Sequence, residues 1–563
     1  MNIQRMLRAA ALSLPLLAGA IQPAAAADDT RPNFLIIVAD DLGFSDIGAF
    51  GGEIDTPHLN RLAESGLRLT DFHTAATCSP TRVMLMTGVD HHRAGIANMA
   101  ELMAPEQRGK PGYLGHIGDN VVTVAELLRD AGYFTVMSGK WHLGTAPAQD
   151  PARRGFERTF ALLPGGENHF ARPSQYPPSM AASLYSENGK PVPIDALPDD
   201  FYSSDYFADR LVQLLRAQRG EAPGKRRPFF AFLPFTAPHW PLQAPAATIE
   251  KYRGRYDRGW QVLRQERLHR QQRLGLLASD VELAPPATLA DWEGLDAEQK
   301  RRQARMMEVY AAMVDRMDYN IGRVVDYLRE QGELDNTVIV FFSDNGAEGG
   351  SAARQISLVT GGQLEQAPYE SLGGRDSRVS YGAHWAQAAT APYRLYKSNA
   401  TEGGLRTPAI IRWPGFARQG SVDRSFLTVL DIAPTMLALA GVETPGERYR
   451  GRAIEPMSGR SLLPYLQRRS EHIHPEIHAV GWELFGQRAL RQGDWKIVYA
   501  SSPNGSGRWE LYDLAKDPGE RYDLSARDPG RLRSMVAEWD RYAASNNIIL
   551  HEQVISPYTM PID

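Results

Sequence analysis

Continuous apolar runs recur along this chain and predict the strands of a buried sheet. Each run lacks the polar alternation of a half-exposed strand, which is typical of strands covered on both faces of a parallel sheet. The runs lie at residues 33–39, 133–138, 228–235, 337–342 and 409–413, and a short strand is also predicted at 67–73. Helical spacing of apolar residues predicts one helix that begins at residue 57 and three others that span 123–131, 304–331 and 428–440. The alternation predicts an α/β fold, a large and mostly parallel sheet sandwiched by helices.

Other segments depart from this pattern. Residues 245–305 are rich in Arg, Gln and Glu and predict helices and loops over the surface, whereas the Gly-, Ser- and Ala-rich segment 347–394 predicts a loop. After residue 460, a small antiparallel sheet with a closing helix is predicted from the segments 488–491, 495–499, 509–514 and 531–544. We therefore divide the chain into a main domain, 28–460, and a smaller C-terminal α+β domain, 461–563.

The first 27 residues have the pattern of a secretory signal peptide. Arg5 and Arg8 precede an apolar stretch at 9–20, and small residues at 24–27 offer a cleavage site. The apolar stretch is too short to span a bilayer. The pattern predicts a periplasmic or secreted protein, residues 1–27 being removed, with no stable membrane association.

Overall charge excludes one broad class of function. The 563 residues include 62 Lys and Arg against 66 Asp and Glu, a formal net charge of -4. This balance offers no bulk attraction to nucleic acid, so no nucleic-acid partner is predicted.

Cys78 is the single cysteine, in a chain predicted to be exported. It can form no internal disulfide, so it is either buried or no longer a thiol in the mature protein. Pro80 is favourable near a helix start, which places Cys78 at or just before the N-terminus of a short buried helix, with Arg82 one turn further on. The N-terminus of a helix stabilises a bound anion.

Hard oxygen ligands follow two of the predicted buried strands. Asp40 and Asp41 end the run at 33–39, and Asp344 and Asn345 end the run at 337–342. Ligands of α/β sheets collect at the carboxyl ends of the strands. If these two strands are neighbours, the four side chains converge, and an all-oxygen, acidic set suits Ca²⁺ or Mg²⁺.

Cations and histidines follow other predicted strands. Lys140 and His142 lie after the strand at 133–138 and would point the same way in extended backbone. His239 lies between prolines in a rigid turn, and Lys397 is a further candidate for anion contact. Side chains of these types suit anion binding and proton transfer.

Several short motifs stand in a recognisable order along the chain. They are Ala39-Asp40-Asp41-Leu42-Gly43, Cys78-Ser79-Pro80-Thr81-Arg82 followed by Leu85-Met86-Thr87-Gly88, Gly139-Lys140-Trp141-His142-Leu143-Gly144, Pro238-His239, Ser343-Asp344-Asn345-Gly346 and Leu511-Tyr512-Asp513-Leu514. The second fits a C-x-P-x-R signature. With these motifs the chain resembles the sulfatases of the alkaline-phosphatase-like superfamily and is similar to bacterial arylsulfatases.

The resemblance implies a modified residue and a metal ion. Cys78 would be oxidised to formylglycine (3-oxoalanine) by a separate maturation enzyme before folding, so that the mature residue is an aldehyde hydrate. One Ca²⁺ per chain would be held by Asp40, Asp41, Asp344 and Asn345, with position 78 completing its shell. The main domain, 28–460, would be the catalytic domain.

The resemblance also implies hydrolysis of a small-molecule sulfate ester, of the aryl sulfate type, with defined roles for the side chains. The hydrate at position 78 would attack sulfur. Arg82, Lys140 and Lys397 would neutralise charge on the nucleophile and the sulfuryl group. His239, with Lys397, would protonate or hold the leaving oxygen, and His142 would take the proton of the remaining hydroxyl so that sulfate is expelled.

Two alternatives stay open at this point. The nearer one is a phosphonate monoester or phosphate diester hydrolase of the same superfamily. The other is an inactive, exported Ca²⁺-dependent carbohydrate-binding protein, which has no need of the intact set of Cys78, Arg82, two histidines and two lysines. The loops at 101–118, 160–200 and 347–394 are expected to line the entrance, but their side chains do not name a substrate.

Overall fold

The computed structural model describes most of the chain between residues 30 and 550. The described ranges are 30–171, 185–221, 227–287, 291–351, 367–413, 415, 419–475, 477–502 and 504–550. The signal peptide predicted at 1–27 lies outside these residues. Within them, no helix combines the length and apolar character that a membrane span requires.

One long mixed sheet organises the described part of the chain. Its strands and those of the smaller sheets are β1 (Asn33–Ala39), β2 (Leu67–Leu69), β3 (Phe72–His73), β4 (Phe134–Lys140), β5 (Arg158–Leu162), β6 (Tyr185–Glu187), β7 (Lys190–Val192), β8 (Phe229–Pro234), β9 (Thr337–Ser343), β10 (Ala409–Arg412), β11 (Ser421–Asp423), β12 (Leu427–Thr428), β13 (Arg448–Tyr449), β14 (Arg452–Ala453), β15 (Ala479–Leu484), β16 (Gln487–Gln492), β17 (Trp495–Tyr499) and β18 (Trp509–Asp513). Among the described residues the long sheet has ten strands, in the order β11-β2-β10-β9-β1-β8-β4-β5-β6-β7. Its centre, β9-β1-β8-β4-β5, is parallel, and antiparallel pairs lie toward both edges.

Helices cover both faces of this sheet. The described helices are α1 (Pro57–Glu64), α2 (Cys78–Thr87), α3 (Val124–Asp130), α4 (Ser203–Glu221), α5 (Ala246–Glu250), α6 (Gly259–Arg273), α7 (Ala297–Glu330), α8 (Gly382–Ala389), α9 (Glu402–Leu405), α10 (Ile432–Leu439), α11 (Leu463–Leu466) and α12 (Pro529–Ser545). Of these, α12 packs on β15–β18 and not on the long sheet. Side chains of β1 alternate between the two layers. Leu35 and Ile37 pack with α1, α4, α6, α7 and α8, whereas Ile36 and Val38 pack with α2, α3 and α10. The predicted sandwich of helices on a buried sheet is confirmed.

Two segments differ from their predictions. The stretch 245–305 was predicted to lie over the surface, but α6 within it buries Arg267 completely. Arg267 donates to Asp46 Oδ1 at 2.6 Å and to Glu53 Oε2 at 2.9 Å, so distant carboxylates neutralise its charge. The segment 347–394, predicted as a loop, contains α8, which packs Trp385 into the core. In both places long-range packing outweighs local composition.

The C-terminal region forms the predicted small antiparallel sheet. Its order is β15-β16-β17-β18, with β15 as an additional edge strand that the sequence did not indicate. Leu490, Ile497 and Leu511 on one face pack against Met535 and Trp539 of α12. The other face packs toward the main sheet through a separate apolar cluster. The division of the chain between residues 460 and 461 stays a prediction.

Buried ion pairs join the small sheet to the main one. Arg491 of β16 donates to both oxygens of Asp71, at 2.9 and 2.7 Å. Glu402 accepts from Lys496 at 2.7 Å, and the same carboxylate lies 3.1 Å from His73 Nε2. These groups are almost completely buried, so each charge depends on its partner. With cations already on Asp71 and Glu402, the cluster is an ion-pair network and not a metal site.

A buried histidine links the small sheet to the segment that follows α2. His92 Nδ1 lies 2.9 Å from Asp90 Oδ1, and His92 Nε2 lies 3.3 Å from Glu483 Oε2 on β15. Tyr542 of α12 donates to Asp90 Oδ2 at 2.7 Å. Burial opposes the charged imidazolium, but the two carboxylates outweigh this effect and raise the pKa of His92 to about 9.

Because of this link, we expect the free energy of unfolding to decrease as pH rises from about 6.5 to 9. The folded pKa of His92 is above its ordinary value of 6.5, so its contribution is fully present below that value and is lost as pH rises through about 9. The shift corresponds to on the order of 3 kcal/mol. Denaturant midpoints at pH 6.5 and 9 test this, with Glu483→Gln expected to lose less stability over the same interval. An equal loss in both proteins would contradict the assignment.

Candidate active site and metal centre

The sheet register brings the predicted acidic residues together. β1 and β9 are parallel neighbours with Ala39 opposite Ser343, so the residues that follow them emerge side by side. The Asp344 N–H donates to the Ala39 carbonyl at 3.1 Å, and the Leu42 N–H donates to Ser343 Oγ at 2.9 Å. Asp40, Asp41, Asp344 and Asn345 are all completely buried at this edge. The structure therefore meets the condition on which the predicted convergence depended.

Helix α2 brings Cys78 to the same point. It begins at Cys78, after Thr77 in extended conformation, and ends at Thr87, where it is capped by Gly88, whose φ of 65° suits a residue without a Cβ. Every residue of α2 is buried, and Cys78 is 1% exposed. The ligand atoms of Cys78 and the three aspartates, Asp40, Asp41 and Asp344, lie within 4.8 Å of one another. Burial raises the pKa of the Cys78 thiol, against the effect of nearby lysines, so it is a poor nucleophile as a thiol.

Arg82 and Lys140 neutralise two of the acids. Arg82 Nε donates to Asp344 Oδ2 at 2.8 Å, and its Nη1 donates to the Lys140 carbonyl at 2.8 Å. Lys140, the last residue of β4, donates from Nζ to Asp40 Oδ2 at 2.6 Å. One turn of α2 thus places Arg82 between the cluster and the end of β4.

Lys397 contacts the third aspartate of the cluster. Its Nζ lies 2.8 Å from Asp41 Oδ1 and 3.1 Å from Glu348 Oε2. Burial opposes ionisation of Asp41, but Lys397, His239 and Lys140 outweigh it and lower the pKa of Asp41 to about 2. Glu348 is a site residue that sequence analysis missed, although it lies only four positions after Asp344.

The two histidines predicted for the site have different partners. His239 Nε2 is 3.6 Å from Asp41 Oδ2, and its Nδ1 is 2.5 Å from the Trp240 carbonyl. Burial lowers the pKa of His239 despite the nearby Asp41. His142 has a φ of 56°, so the extended backbone that would align it with Lys140 ends before it. Its Nε2 lies 3.3 Å from Glu101 Oε1, a partner that sequence analysis did not identify.

The donor set fits a hard divalent cation. Buried carboxylates outnumber buried cations at this point, with Asp40, Asp41, Asp344 and Glu348 against Arg82, Lys140 and Lys397. Burial and the Asp40 carboxylate raise the pKa of Asp344 to about 6, which a cation would oppose. Two buried oxygens of the predicted ligands, Asp40 Oδ1 and Asn345 Oδ1, accept no hydrogen bond from the described residues. Oxygen ligands of this kind suit Ca²⁺ or Mg²⁺.

The loops expected to line the entrance are described in part. From the segment 101–118, Glu101 reaches His142, and from 160–200, a Cβ on Gly165 would lie 2.5 Å from the His142 ring. Residues 172–184 and 352–366 lie outside the described part of the chain.

Comparisons with known proteins show which family this chain resembles over most of its length. The family model described as Sulfatase matches residues 32–442, and one described as N-sulphoglucosamine sulphohydrolase, C-terminal, matches 394–531. An uncharacterized sulfatase of Schizosaccharomyces pombe is 46% identical over 538 residues, which cover 93% of this chain and 95% of that protein. An arylsulfatase of Klebsiella aerogenes is 39% identical over 470 residues, which cover 82% of this chain and 98% of that one.

A solved structure shares the fold. The crystal structure of Ps i-CgsB in complex with k-i-k-neocarrahexaose superposes with a TM-score of 0.64 at 24% identity. The match covers 93% of this chain and 95% of that one. The same arrangement of sheet and helices therefore extends over almost the whole described chain.

Proposed function

This chain belongs to the sulfatase family, within the alkaline-phosphatase-like superfamily, and from that premise we propose that it hydrolyses aryl sulfates to a phenol and inorganic sulfate. The observation that carries the proposal is the convergence of Cys78 with three aspartates at the N-terminus of α2. Around this point stand three buried cations, Arg82 among them, that suit an anionic ester. The family assignment supports sulfate ester hydrolysis, and the aryl class is the proposed refinement.

The proposed metal ion is Ca²⁺, held by Asp40, Asp41, Asp344 and Asn345 together with position 78. When bound, Ca²⁺ supplies positive charge that favours the ionised nucleophile and the transferred sulfuryl group. The buried carboxylates support this assignment because they exceed the cationic side chains beside them. Arg82 donates to Asp344 Oδ2 and Lys140 donates to Asp40 Oδ2, and these contacts orient both carboxylates.

Position 78 is proposed to carry formylglycine, made from Cys78 by a maturation enzyme before folding. When formed, its hydrate supplies one hydroxyl to attack sulfur and a second whose ionisation expels sulfate. The burial of Cys78 supports modification before folding, because the folded chain leaves it 1% exposed to a modifying enzyme. Export through the predicted signal peptide, to the periplasm or the medium, is part of the same proposal.

The remaining side chains are proposed to move protons and to bind the ester. His239 Nδ1 lies against the Trp240 carbonyl and Nε2 lies toward Asp41, so Nε2 is the atom through which the charged ring would protonate the leaving oxygen, or the neutral ring would hold it as an acceptor from a protonated group. Lys397, beside the same Asp41, is placed to assist it. Lys140 and Arg82 neutralise charge on the sulfuryl oxygens. His142 is proposed to take a proton from the second hydroxyl.

The expected substrate preference separates this function from the nearest alternative. We expect kcat/KM on 4-nitrophenyl sulfate to exceed that on 4-nitrophenyl phenylphosphonate by at least about 100-fold. Both esters carry one negative charge, but in the phosphonate a phenyl group replaces one of the terminal oxygens that the buried cations would bind, so transition-state binding is lost. Initial rates on both esters with one protein preparation provide the measurement. A higher kcat/KM on the phosphonate would assign the chain to phosphonate monoester hydrolysis, and no turnover of either ester would favour a binding protein.

A further inference from the structure

The His142 ring has one partnered and one unpartnered nitrogen. Nε2 lies 3.3 Å from Glu101 Oε1, whereas Nδ1 is buried and forms no hydrogen bond with the described residues. His142 as a whole is 8% exposed. A carboxylate only accepts hydrogen bonds, so the contact requires the hydrogen on Nε2 and leaves the lone pair of the neutral ring on Nδ1.

We propose that Glu101 is a positioning residue that fixes His142 in the tautomer protonated at Nε2, so that the buried Nδ1 is the atom that accepts a proton. The inference rests on the proposed function, in which His142 acts as a base. It adds to that function the residue that sets the orientation and tautomer of the base. In this respect Glu101 acts as the carboxylate does in other histidine–carboxylate pairs.

Hydrogen bonds between buried amide side chains support the turn that carries Glu101. Glu101 lies in the single helical turn Ala100–Leu102. Asn98 Nδ2 donates to Gln107 Oε1 at 3.0 Å, and Gln107 Nε2 donates to the Ile549 carbonyl at 2.9 Å. Gln107 is 4% exposed. The position of Glu101 is therefore supported by the segment after α12, and its contact with His142 belongs to a constrained loop.

The His142 ring is constrained on its other side by the backbone. Its φ of 56° is a left-handed conformation that turns the side chain away from the direction of β4. A Cβ added to Gly165 would lie 2.5 Å from His142 Cε1 and 2.6 Å from Nε2, so the absence of a side chain there lets the ring pack against the loop. Contacts from two loops thus hold the ring in one orientation.

The charges that act on the ring are consistent with a neutral base. Burial lowers the pKa of His142, the Glu101 carboxylate raises it, and Lys140 and Arg82 lower it. Arg82, which contacts Asp344 of the cluster, also donates to the Lys140 carbonyl, so His142 follows by two residues a backbone group that is tied to the proposed reaction centre. A neutral imidazole at neutral pH can accept a proton at Nδ1 and be stabilised as the cation by Glu101.

The step balances without a further reactant. The second hydroxyl of the sulfated hydrate gives its proton to His142 Nδ1, and the O–H electron pair forms the carbonyl double bond. The carbon–oxygen bond to the sulfate group breaks, and sulfate leaves with that electron pair. Water then hydrates the aldehyde again, and the proton leaves His142 for solvent.

The first test reads the tautomer and needs no turnover. Imidazole ¹⁵N NMR is recorded on full-length protein with Cys78 unmodified, as wild type, Glu101→Ala and Glu101→Gln, with Glu106→Gln as an acid-to-amide control on the same loop. We expect a protonated Nε2 and an unprotonated Nδ1 in wild type, Glu101→Gln and Glu106→Gln, because the glutamine carbonyl accepts the same hydrogen bond. Glu101→Ala is expected to lose the single tautomer. An unchanged His142 spectrum in Glu101→Ala would overturn the proposal.

The second test separates the two chemical steps in protein whose formylglycine content has been matched by mass. With 4-nitrophenyl sulfate, Glu101→Ala is expected to release a burst of phenol and then slow sulfate release by about 10- to 100-fold. Glu101→Gln is expected to keep most of the rate while the acid limb of its pH profile moves to lower pH, because the carboxylate that raises the pKa of His142 is gone. A uniform loss without a burst, or an unmoved acid limb, would overturn the role of Glu101.

Failure of the proposed function would look different. Absence of aryl sulfate hydrolysis in the wild type would contradict the proposed function, whereas the NMR result depends only on the pair Glu101 and His142. The Glu101 side chain is 36% exposed, so its truncation opens no internal cavity and the variants are expected to fold.

Discussion

Replacing Cys78 with serine is expected to end turnover after at most one phenol per chain. A serine hydroxyl at the same place has the nucleophilic oxygen but lacks the second hydroxyl whose ionisation expels sulfate. The sulfated serine is then a stable ester in a buried site. We expect a loss of at least about 10⁴-fold in steady-state rate, because slow hydrolysis of the sulfated serine would limit turnover. Intact mass after incubation with 4-nitrophenyl sulfate should show a chain heavier by one sulfuryl group.

Mass of the wild-type peptide around position 78 provides the companion measurement. Conversion of thiol to aldehyde replaces sulfur by oxygen and removes two hydrogens, so the peptide from active enzyme should be lighter by that difference. Cys78→Ala is the matched control, because it lacks any nucleophile and should show neither phenol burst nor added mass. An unmodified thiol in fully active enzyme would contradict the mechanism.

Removing the divalent cation is expected to abolish activity and to lower stability. Buried carboxylates outnumber cations around Asp40 and Asp344, so without the metal they repel one another in a site of low dielectric. Ca²⁺ at about 100 times its Kd should stabilise the fold by about 3 kcal/mol. Chelation followed by readdition of Ca²⁺ or Mg²⁺, with the thermal midpoint and hydrolysis rate both recorded, provides the measurement.

One variant for this experiment removes a buried ligand oxygen that accepts no hydrogen bond from the described residues, and a second variant serves as its control. Asn345→Ala removes an orphaned ligand oxygen without removing a charge, and it should shift the Ca²⁺ dependence of the thermal midpoint to higher concentration. Asp119→Asn, an exposed acid whose side chain is 99% accessible, should respond to Ca²⁺ as the wild type does. A midpoint that does not change with Ca²⁺, or full recovery with Mg²⁺ alone, would show that the Ca²⁺ assignment is wrong.

Most of the sheet was predictable because the amino-acid composition of its strands indicates that they are buried. The runs that became β1 and β9 are apolar at nearly every position, and both strands are completely buried. A strand of this kind is stable only where both of its faces are covered, so its composition indicates a position inside a parallel sheet. The helix at Cys78 was predictable for a similar local reason, since Pro80 is favourable in a first turn.

The sequence alone could not correctly place segments whose charges are neutralised by residues far away along the chain. The Arg267 side chain alone indicates a surface helix, but its partner Asp46 lies 221 positions away. Glu101 shows the same limit in the site, because its partner His142 is 41 positions away on another loop. Glu348 lay next to a recognised motif, so its proximity was a usable signal, but its contact with Lys397 was not visible.

The sequence by itself determined that acidic residues follow two buried strands, that the single cysteine begins a buried helix, and that the motifs are those of a sulfatase. Each of these follows from neighbouring residues, whose spacing decides burial and capping. Only the tertiary structure decided that Asp40 and Asp344 meet, because strand order and register depend on contacts about 300 residues apart. It alone showed how Glu101 holds His142, since burial and charge at that ring arise from several separate segments.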